Sequence, residues 1–119
     1  MRRLCFAMAV IGVLAVSATS AAVAGTTSVV RISAPVSGLR YNQKVVRAHA
    51  GRIKIVFTNM SSLKHNVNVE HGEKEFGKTA TISHGTTSVW LTLKPGKYNF
   101  YCSVPGHEDA GMHGTLVVT

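Results

Sequence analysis

Three side chains that bind soft metal ions lie close together near the end of the chain. Cys102, His107 and Met112 follow one another with four residues in each interval, so one loop carries a thiol, an imidazole and a thioether. Two histidines and a cysteine in a trigonal set with a distant methionine suit a copper ion that alternates between its two oxidation states. The spacing therefore predicts a copper site that needs one more histidine.

His65 is the candidate for the missing ligand. It begins an alternating run with Val67 and Val69, so the three side chains should point into the protein together. Its neighbour Asn66 is expected to hydrogen-bond to the loop that carries the other ligands, at Ser103, because such outer contacts fix ligand orientation. The predicted ligands of one copper ion are His65, Cys102, His107 and Met112.

Histidine, cysteine and methionine also occur in proteins without binding a metal. A free cysteine is often a core residue, and methionine often fills gaps in a core. The spacing of Cys102 and Met112 from His107 favours a site instead. The remaining histidines have no partner at ligand spacing and are expected to be solvated: His49, His71, His84 and His113. No catalytic residue is predicted.

The first 24 residues have the organisation of a secretory signal peptide. Arg2 and Arg3 precede an apolar run over residues 4–16, and Ala22 and Ala24 form a small-residue exit. This predicts cleavage after Ala24, a mature domain over residues 25–119 and a periplasmic or other extracytoplasmic location. The alternative is an uncleaved membrane anchor, because the uncharged stretch 4–24 reaches the roughly 20 residues that a bilayer needs.

Composition limits the function further. Of the two cysteines, Cys5 lies in the predicted signal peptide, so the mature chain keeps one thiol, which metal binding would protect in an oxidising compartment. Of the 13 Lys and Arg, Arg2 and Arg3 would also leave; the remaining 11 against 5 Asp and Glu give a formal charge of +6. The cations are scattered, which favours steering toward an acidic partner or anionic surface over nucleic acid binding.

The mature chain reads as short strands separated by turns. Apolar and β-branched runs mark strands at residues 28–32, 44–47, 52–58, 65–70, 89–93, 98–102 and 115–118. Trp90 alternates with the apolar residues beside it, which places it on an outer sheet face. Residues 70–81 show no clear pattern and are expected to form a loop with a short helical turn. These runs predict an all-β, antiparallel β-sandwich.

These motifs together resemble the plastocyanin/azurin group of cupredoxins, in particular small exported bacterial members related to sulfocyanin and auracyanin. The resemblance extends from about Leu39 to Thr119 and rests on Val56-Phe57-Thr58-Asn59, His65-Asn66-Val67, Leu93-Lys94-Pro95-Gly96 and the segment from Phe100 to Leu116. It implies a Greek-key sandwich of about seven to eight strands. It also implies a type 1 blue copper centre with the four ligands named above, and a corner pinned by Tyr98.

Two features depart from the family pattern. Lys64 stands where plastocyanin-like chains often have proline and azurins have glycine, so a carbonyl contact to the copper is expected to be weak or absent. The interval between Cys102 and His107 is longer than in plastocyanin. The redox potential of either relative therefore does not transfer to this chain.

The predicted function is electron transfer between redox proteins by a small monomeric carrier, not an enzyme, with His107 as the exit for the electron. Copper oxidases and nitrite reductases have a histidine beside the ligand cysteine, where this chain has Tyr101 and Ser103. A binuclear copper centre needs a second cysteine where Gly106 stands. A direct membrane contact is expected only if the N-terminal segment is uncleaved.

The alternative function is a non-redox periplasmic copper carrier or scavenger. Such sites are usually rich in methionine or histidine, whereas Met60 and Met112 are the only methionines of the mature chain. Zinc could bind the same donor types, but an axial methionine favours copper.

Overall fold

Eight β-strands account for the regular structure of the computed structural model, which describes residues 12, 14–18 and 25–119. In chain order, β1 to β8 are Thr27–Ala34, Val45–Ala48, Gly51–Asn59, Asn68–His71, Lys74–Lys78, Gly85–Leu93, Gly96–Tyr101 and His113–Val118. These described residues contain no helix long and apolar enough to cross a membrane. The predicted signal peptide, residues 1–24, falls largely outside the described residues.

The strands form two sheets packed into a sandwich. One has the order β1-β3-β6 and the other the order β2-β8-β7-β4-β5. β1 pairs with β3 in parallel, as β2 does with β8, while the other pairs are antiparallel. A parallel pair needs a crossover connection, and the chain provides one by passing from β1 to β2 in the other sheet before β3. The predicted all-β sandwich is confirmed.

The core lies between the sheets and follows the alternation of the sequence. On β3, Ile53, Ile55 and Phe57 are fully buried, and Leu91 on β6 is buried opposite them in the same sheet. Trp90 points outward with 45% of its surface exposed, as its position between apolar residues predicts. A side-chain period of two thus separates core from surface, as expected for half-buried strands.

Segment 70–81 differs from the prediction. Residues Lys74–Lys78 form β5, which pairs with β4 in a hairpin and stands at the edge of its sheet. An edge strand has one neighbour and is commonly charged, so its sequence lacks the alternation of a half-buried strand. The expected loop with a helical turn is wrong. Strand β4 also begins at Asn68 rather than at His65.

Opposite ends of the sandwich are built differently. The connections 35–44, 60–67, 79–84 and 102–112 meet at one end, which we call the ligand end because it contains all four predicted ligands. The short turns 49–50, 72–73 and 94–95 form the far end. At the far end, the hydroxyl of Tyr98 donates to the carbonyl of Lys94 at 2.8 Å, which confirms the predicted tyrosine corner.

Candidate metal centre

Cys102 and Met112 are set by the ends of two neighbouring strands. Cys102 directly follows β7, Met112 directly precedes β8, and the backbone N–H of Cys102 donates to the carbonyl of Met112 at 3.1 Å. Both side chains are fully buried. The alternation of β7 continues through Phe100 to Cys102, so the thiol points into the sandwich as predicted.

Residues 102–112, the ligand loop, are folded by their own backbone hydrogen bonds. The N–H of His107 donates to the carbonyl of Val104 at 3.1 Å, and the carbonyl of His107 accepts from the N–H of Met112 at 3.0 Å. Gly106 has a φ of 82°, in the left-handed region that glycine adopts without a steric penalty. His107 is therefore held through both its backbone N–H and its backbone carbonyl.

His65 is fixed by a short bridge to the connection between β5 and β6. Its N–H donates to the carbonyl of Ile82 at 3.0 Å, and its carbonyl accepts from the N–H of Ile82 at 3.0 Å. The side chain is fully buried. Burial lowers the pKa of His65, and a proton on nearby His107 would lower it further, so the neutral form that metal binding requires is favoured.

Three donor atoms converge at the ligand end. The Nδ1 atoms of His65 and His107 are 3.1 Å apart. The Sγ atom of Cys102 lies 3.9 Å from Nδ1 of His65 and 3.5 Å from Nδ1 of His107. Each residue thus offers one ligand atom to a common point, and Met112 adjoins two of them through its backbone bonds.

The spacing of these atoms fits one metal ion. With metal–ligand bonds of about 2.0 Å to nitrogen and about 2.3 Å to sulfur, a trigonal metal keeps its nitrogens about 3.5 Å apart and each about 3.7 Å from the sulfur. The observed separations of 3.1, 3.5 and 3.9 Å are close to these values. One thiolate and two imidazoles with a buried thioether beside them form the donor set that suits copper.

Comparison with known proteins gives the family. The family model of copper binding proteins of the plastocyanin/azurin family matches residues 28–119. The chain belongs to this family. The resemblance to cupredoxins stated above is therefore confirmed, and copper is the cofactor.

A curated relative and several solved structures are similar to this cupredoxin. The copper-resistant cuproprotein CopI of Rubrivivax gelatinosus is 32% identical over an alignment of 84 residues that covers 63% of this chain and 50% of CopI. The chain thus spans half the length of this relative. Sodium dithionite-reduced auracyanin from Roseiflexus castenholzii has a TM-score of 0.72 at 22% identity, covering 81% of this chain and 99% of its own. Rusticyanin from Thiobacillus ferrooxidans has a TM-score of 0.69 at 17% identity, covering 81% and 79%. These structures show the cupredoxin fold.

Asn66 joins the two parts of this cupredoxin site. Its side-chain NH₂ donates to the hydroxyl of Ser103 at 2.8 Å and to that of Thr81 at 2.9 Å, and its side-chain oxygen accepts from the N–H of Ser103 at 2.9 Å. The predicted contact between Asn66 and Ser103 is confirmed. The residue after His65 is thereby tied to the residue after Cys102.

Two further side chains support His65 and were not assigned a role from the sequence. Buried Asn59 donates to the carbonyls of Leu63 at 2.8 Å and Ile82 at 2.7 Å, holding both segments that flank His65. Buried Tyr41, from the connection 35–44, donates its hydroxyl to the carbonyl of Asn66, and burial raises the pKa of this phenol. Asn59 belongs to the motif Val56-Phe57-Thr58-Asn59 described above, whereas no sequence pattern indicated a role for Tyr41.

The four predicted ligands differ in their access to solvent. His65, Cys102 and Met112 have 0% of their surface exposed, whereas His107 is partly exposed. Exposed Pro105 and Ala110 lie on either side of His107 along the ligand loop. Among the four predicted ligands, His107 is therefore the one that reaches the protein surface.

Proposed function

We propose that this protein carries single electrons between redox proteins outside the cytoplasm, through one type 1 copper ion. The convergence of Nδ1 of His65, Sγ of Cys102 and Nδ1 of His107 is the observation that carries this proposal. The cysteine would bind as thiolate, the two histidines as neutral imidazoles and Met112 as a weak axial donor. When bound, copper supplies a reversible one-electron couple.

The proposed exit for the electron is the ring of His107. The ligand loop contributes small residues to this end. Other connections at the ligand end add three exposed apolar side chains, Val36, Met60 and Leu63. An apolar surface around one partly exposed ligand suits a brief encounter of small area, below about 1,200 Å², as in weak redox complexes. Partners would approach at this end.

The positive charge of the protein would mainly attract a redox partner before the two proteins come into contact. The ligand end carries exposed Arg40, Lys44 and Lys64, but the ligand loop contributes Glu108 and Asp109. Attraction of an acidic partner therefore comes from the positive net charge of the whole protein, and association should slow as salt rises. The surface in contact with the partner is mixed in charge, which favours release.

A carrier is proposed over an enzyme on the basis of access. Three of the four proposed ligands have no exposed surface, so a substrate would have to reach the metal past the His107 ring. Cys102 is flanked by Tyr101 and Ser103, and neither residue can connect its thiolate to a second copper as a histidine could. Outer-sphere transfer needs neither an open position nor a second metal.

The second candidate is a non-redox copper carrier or scavenger. Similarity to a copper-resistant cuproprotein over half of that protein's length favours it. The two candidates differ in what leaves the protein, since one releases an electron and the other releases the metal. The location outside the cytoplasm, supported by the signal-peptide pattern of residues 1–24, suits both.

The test is the colour and cycling of the copper-loaded protein. Protein reconstituted with Cu(II) should be intensely blue from thiolate-to-copper charge transfer, and Cys102→Ala should abolish the colour while the chain still folds. His49→Gln, an exposed histidine, serves as the control and should stay blue. A colourless Cu(II) complex would overturn the redox proposal. Repeated reduction and reoxidation without loss of copper would distinguish an electron carrier from a copper carrier.

A further inference from the structure

The outer face of the three-stranded sheet carries an aromatic ring with two cations over it. Cα pairing places Val29, Lys54 and Trp90 in one row across β1, β3 and β6. The guanidinium carbon of Arg52 lies 4.3 Å from the ring centroid of Trp90, and the ammonium of Lys54 lies 5.6 Å from it. We call this face, with Arg31 further along β1, the basic platform.

The basic platform has no acidic residue of its own. The other outward residues of these strands are serine, threonine and valine, and all five Asp and Glu of the chain lie elsewhere. Glu70, Glu73 and Glu75 belong to the hairpin of β4 and β5 in the other sheet, and Glu108 and Asp109 to the ligand loop. The positive charge of the face is therefore not compensated locally.

The platform also stands apart from the proposed metal site. Seven residues at about 3.3 Å each place Arg52 about 23 Å from Asn59 at the ligand end, whereas Arg31, the Cα partner of Val56, is level with a point about 10 Å from Asn59. Thr27, where β1 begins, is the Cα partner of Arg52. Under the alternative in which the N-terminal segment is kept as a membrane anchor, that segment would join the domain beside the platform.

We propose that the basic platform binds the anionic phospholipid surface of a membrane and leaves the ligand end free. Guanidinium groups recognise phosphate through paired hydrogen bonds, and polybasic surfaces are attracted to anionic headgroups. Trp90, 45% exposed, and Val29, 53% exposed, flank Lys54 with the amphipathic chemistry of a membrane interface. The proposal does not depend on electron transfer.

Trp90 provides the reporter for the test, because it is the one tryptophan of the chain. The exported, copper-loaded protein is mixed at low salt with vesicles of phosphatidylcholine alone or of equal parts phosphatidylcholine and phosphatidylglycerol. Binding is measured by tryptophan emission and by cosedimentation. We expect a blue shift and sedimentation with the anionic vesicles only, both lost as salt rises.

Two double variants distinguish the effect of the platform cations on membrane binding from the effect of the protein's net charge. Arg52→Gln with Lys54→Gln should weaken binding about 30-fold, from about fivefold for each cation near a charged membrane. The control, Lys74→Gln with Lys78→Gln, removes two charges from β5, where Lys74 also lies over an aromatic ring, 5.0 Å from the centroid of Phe76. This control should change binding by less than about threefold, because β5 belongs to the other sheet and contributes no residue to the platform.

Three outcomes would overturn the proposal. Equal losses of vesicle binding in the two double variants would show that binding depends on net charge alone. Equal binding to neutral vesicles would assign the contact to an apolar segment. A shift of Trp90 emission with polyglutamate but not with anionic vesicles would make the platform a site for acidic proteins. If the Arg52 and Lys54 variant fails to bind copper or to fold, Arg31→Gln replaces it, with an expected loss of about fivefold.

Discussion

The side-chain nitrogen of Asn66 and the hydroxyl of Ser103 lie 2.8 Å apart, and the N–H of Ser103 returns a bond of 2.9 Å to the side-chain oxygen of Asn66. This reciprocal pair joins the residue that follows His65 to the residue that follows Cys102. The backbone segments that carry the imidazole and the thiol therefore cannot separate without breaking both bonds. The distance between two proposed ligands is thus fixed by residues that do not bind the metal.

Asn66→Ala should loosen the site more than Ser103→Ala. The first change removes all three bonds of the Asn66 side chain and leaves the Ser103 N–H without its partner, which costs about 1–3 kcal/mol. Loss of such an outer contact typically lowers metal affinity about 10–100-fold. Ser103→Ala keeps the bond from its N–H to Asn66 and should have the smaller effect. Denaturant unfolding and copper competition with a chelator measure both quantities, and equal effects would contradict the pairing.

Asn59→Asp should disturb His65 although the two side chains have similar shapes. Aspartate cannot donate to the carbonyls of Leu63 and Ile82, and it places a carboxylate against them, so we expect a loss of about 1–3 kcal/mol for each unmade bond. Because Ile82 pairs with His65, the visible spectrum of the copper form should change as well. Asn42→Asp, at an exposed asparagine, is the control and should leave the spectrum unchanged. An unchanged spectrum for Asn59→Asp would show that it does not position His65.

Met112→Leu should keep the blue colour and raise the reduction potential. The thiolate and both imidazoles remain, while loss of a weak axial donor disfavours Cu(II), which requires more ligands than Cu(I) does. The volume is nearly conserved, so the stability cost should stay below about 1.5 kcal/mol. The control is Met60→Leu, at an exposed methionine. Voltammetry of both variants measures the shift, and a potential unchanged by Met112→Leu would remove this residue from the ligand set.

Copper-free protein should lose stability in mild acid because of His65. Burial lowers the pKa of His65 in the folded state below the value of about 6.5 expected for the unfolded chain. Below about pH 6.5 the unfolded chain therefore binds more protons, and the free energy of unfolding falls with pH until the folded-state pKa is reached. Urea unfolding at a series of pH values measures this slope. His65→Gln should reduce it, while His49→Gln, at an exposed histidine, should not.

The sequence predicts those parts of the fold that depend on local alternation. Ile53, Ile55 and Phe57 are buried where a period of two places them, and the same rule orients Trp90 outward and Cys102 inward. The sequence does not reveal strand β5, because this edge strand buries only Phe76 and Gly77, and those in part, which is too little to impose an alternating pattern. Local sequence also cannot show that β1 and β3 pair in parallel, since this depends on a crossover through the other sheet.

The residues of the candidate site likewise divide into those that the sequence predicts and those that only the structure reveals. Cys102, His107 and Met112 are visible as a spaced motif because one loop carries them, and His65 is found through its alternation with Val67. The contacts of Tyr41 with Asn66 and of Asn59 with Ile82 join residues more than 20 positions apart. Such contacts arise only once the connections meet at one end of the sandwich.

The bond between Cys102 and Met112 closes the ligand loop at its base, with both side chains sealed beneath it. A metal ion held there would dissociate either past the His107 ring or by opening of this closure, and the second route would make its residence time depend on a local unfolding rate. The proposed electron transfer needs no such opening, because His107 is partly exposed. If the protein works as proposed, the same architecture would exchange an electron faster than it exchanges the metal itself.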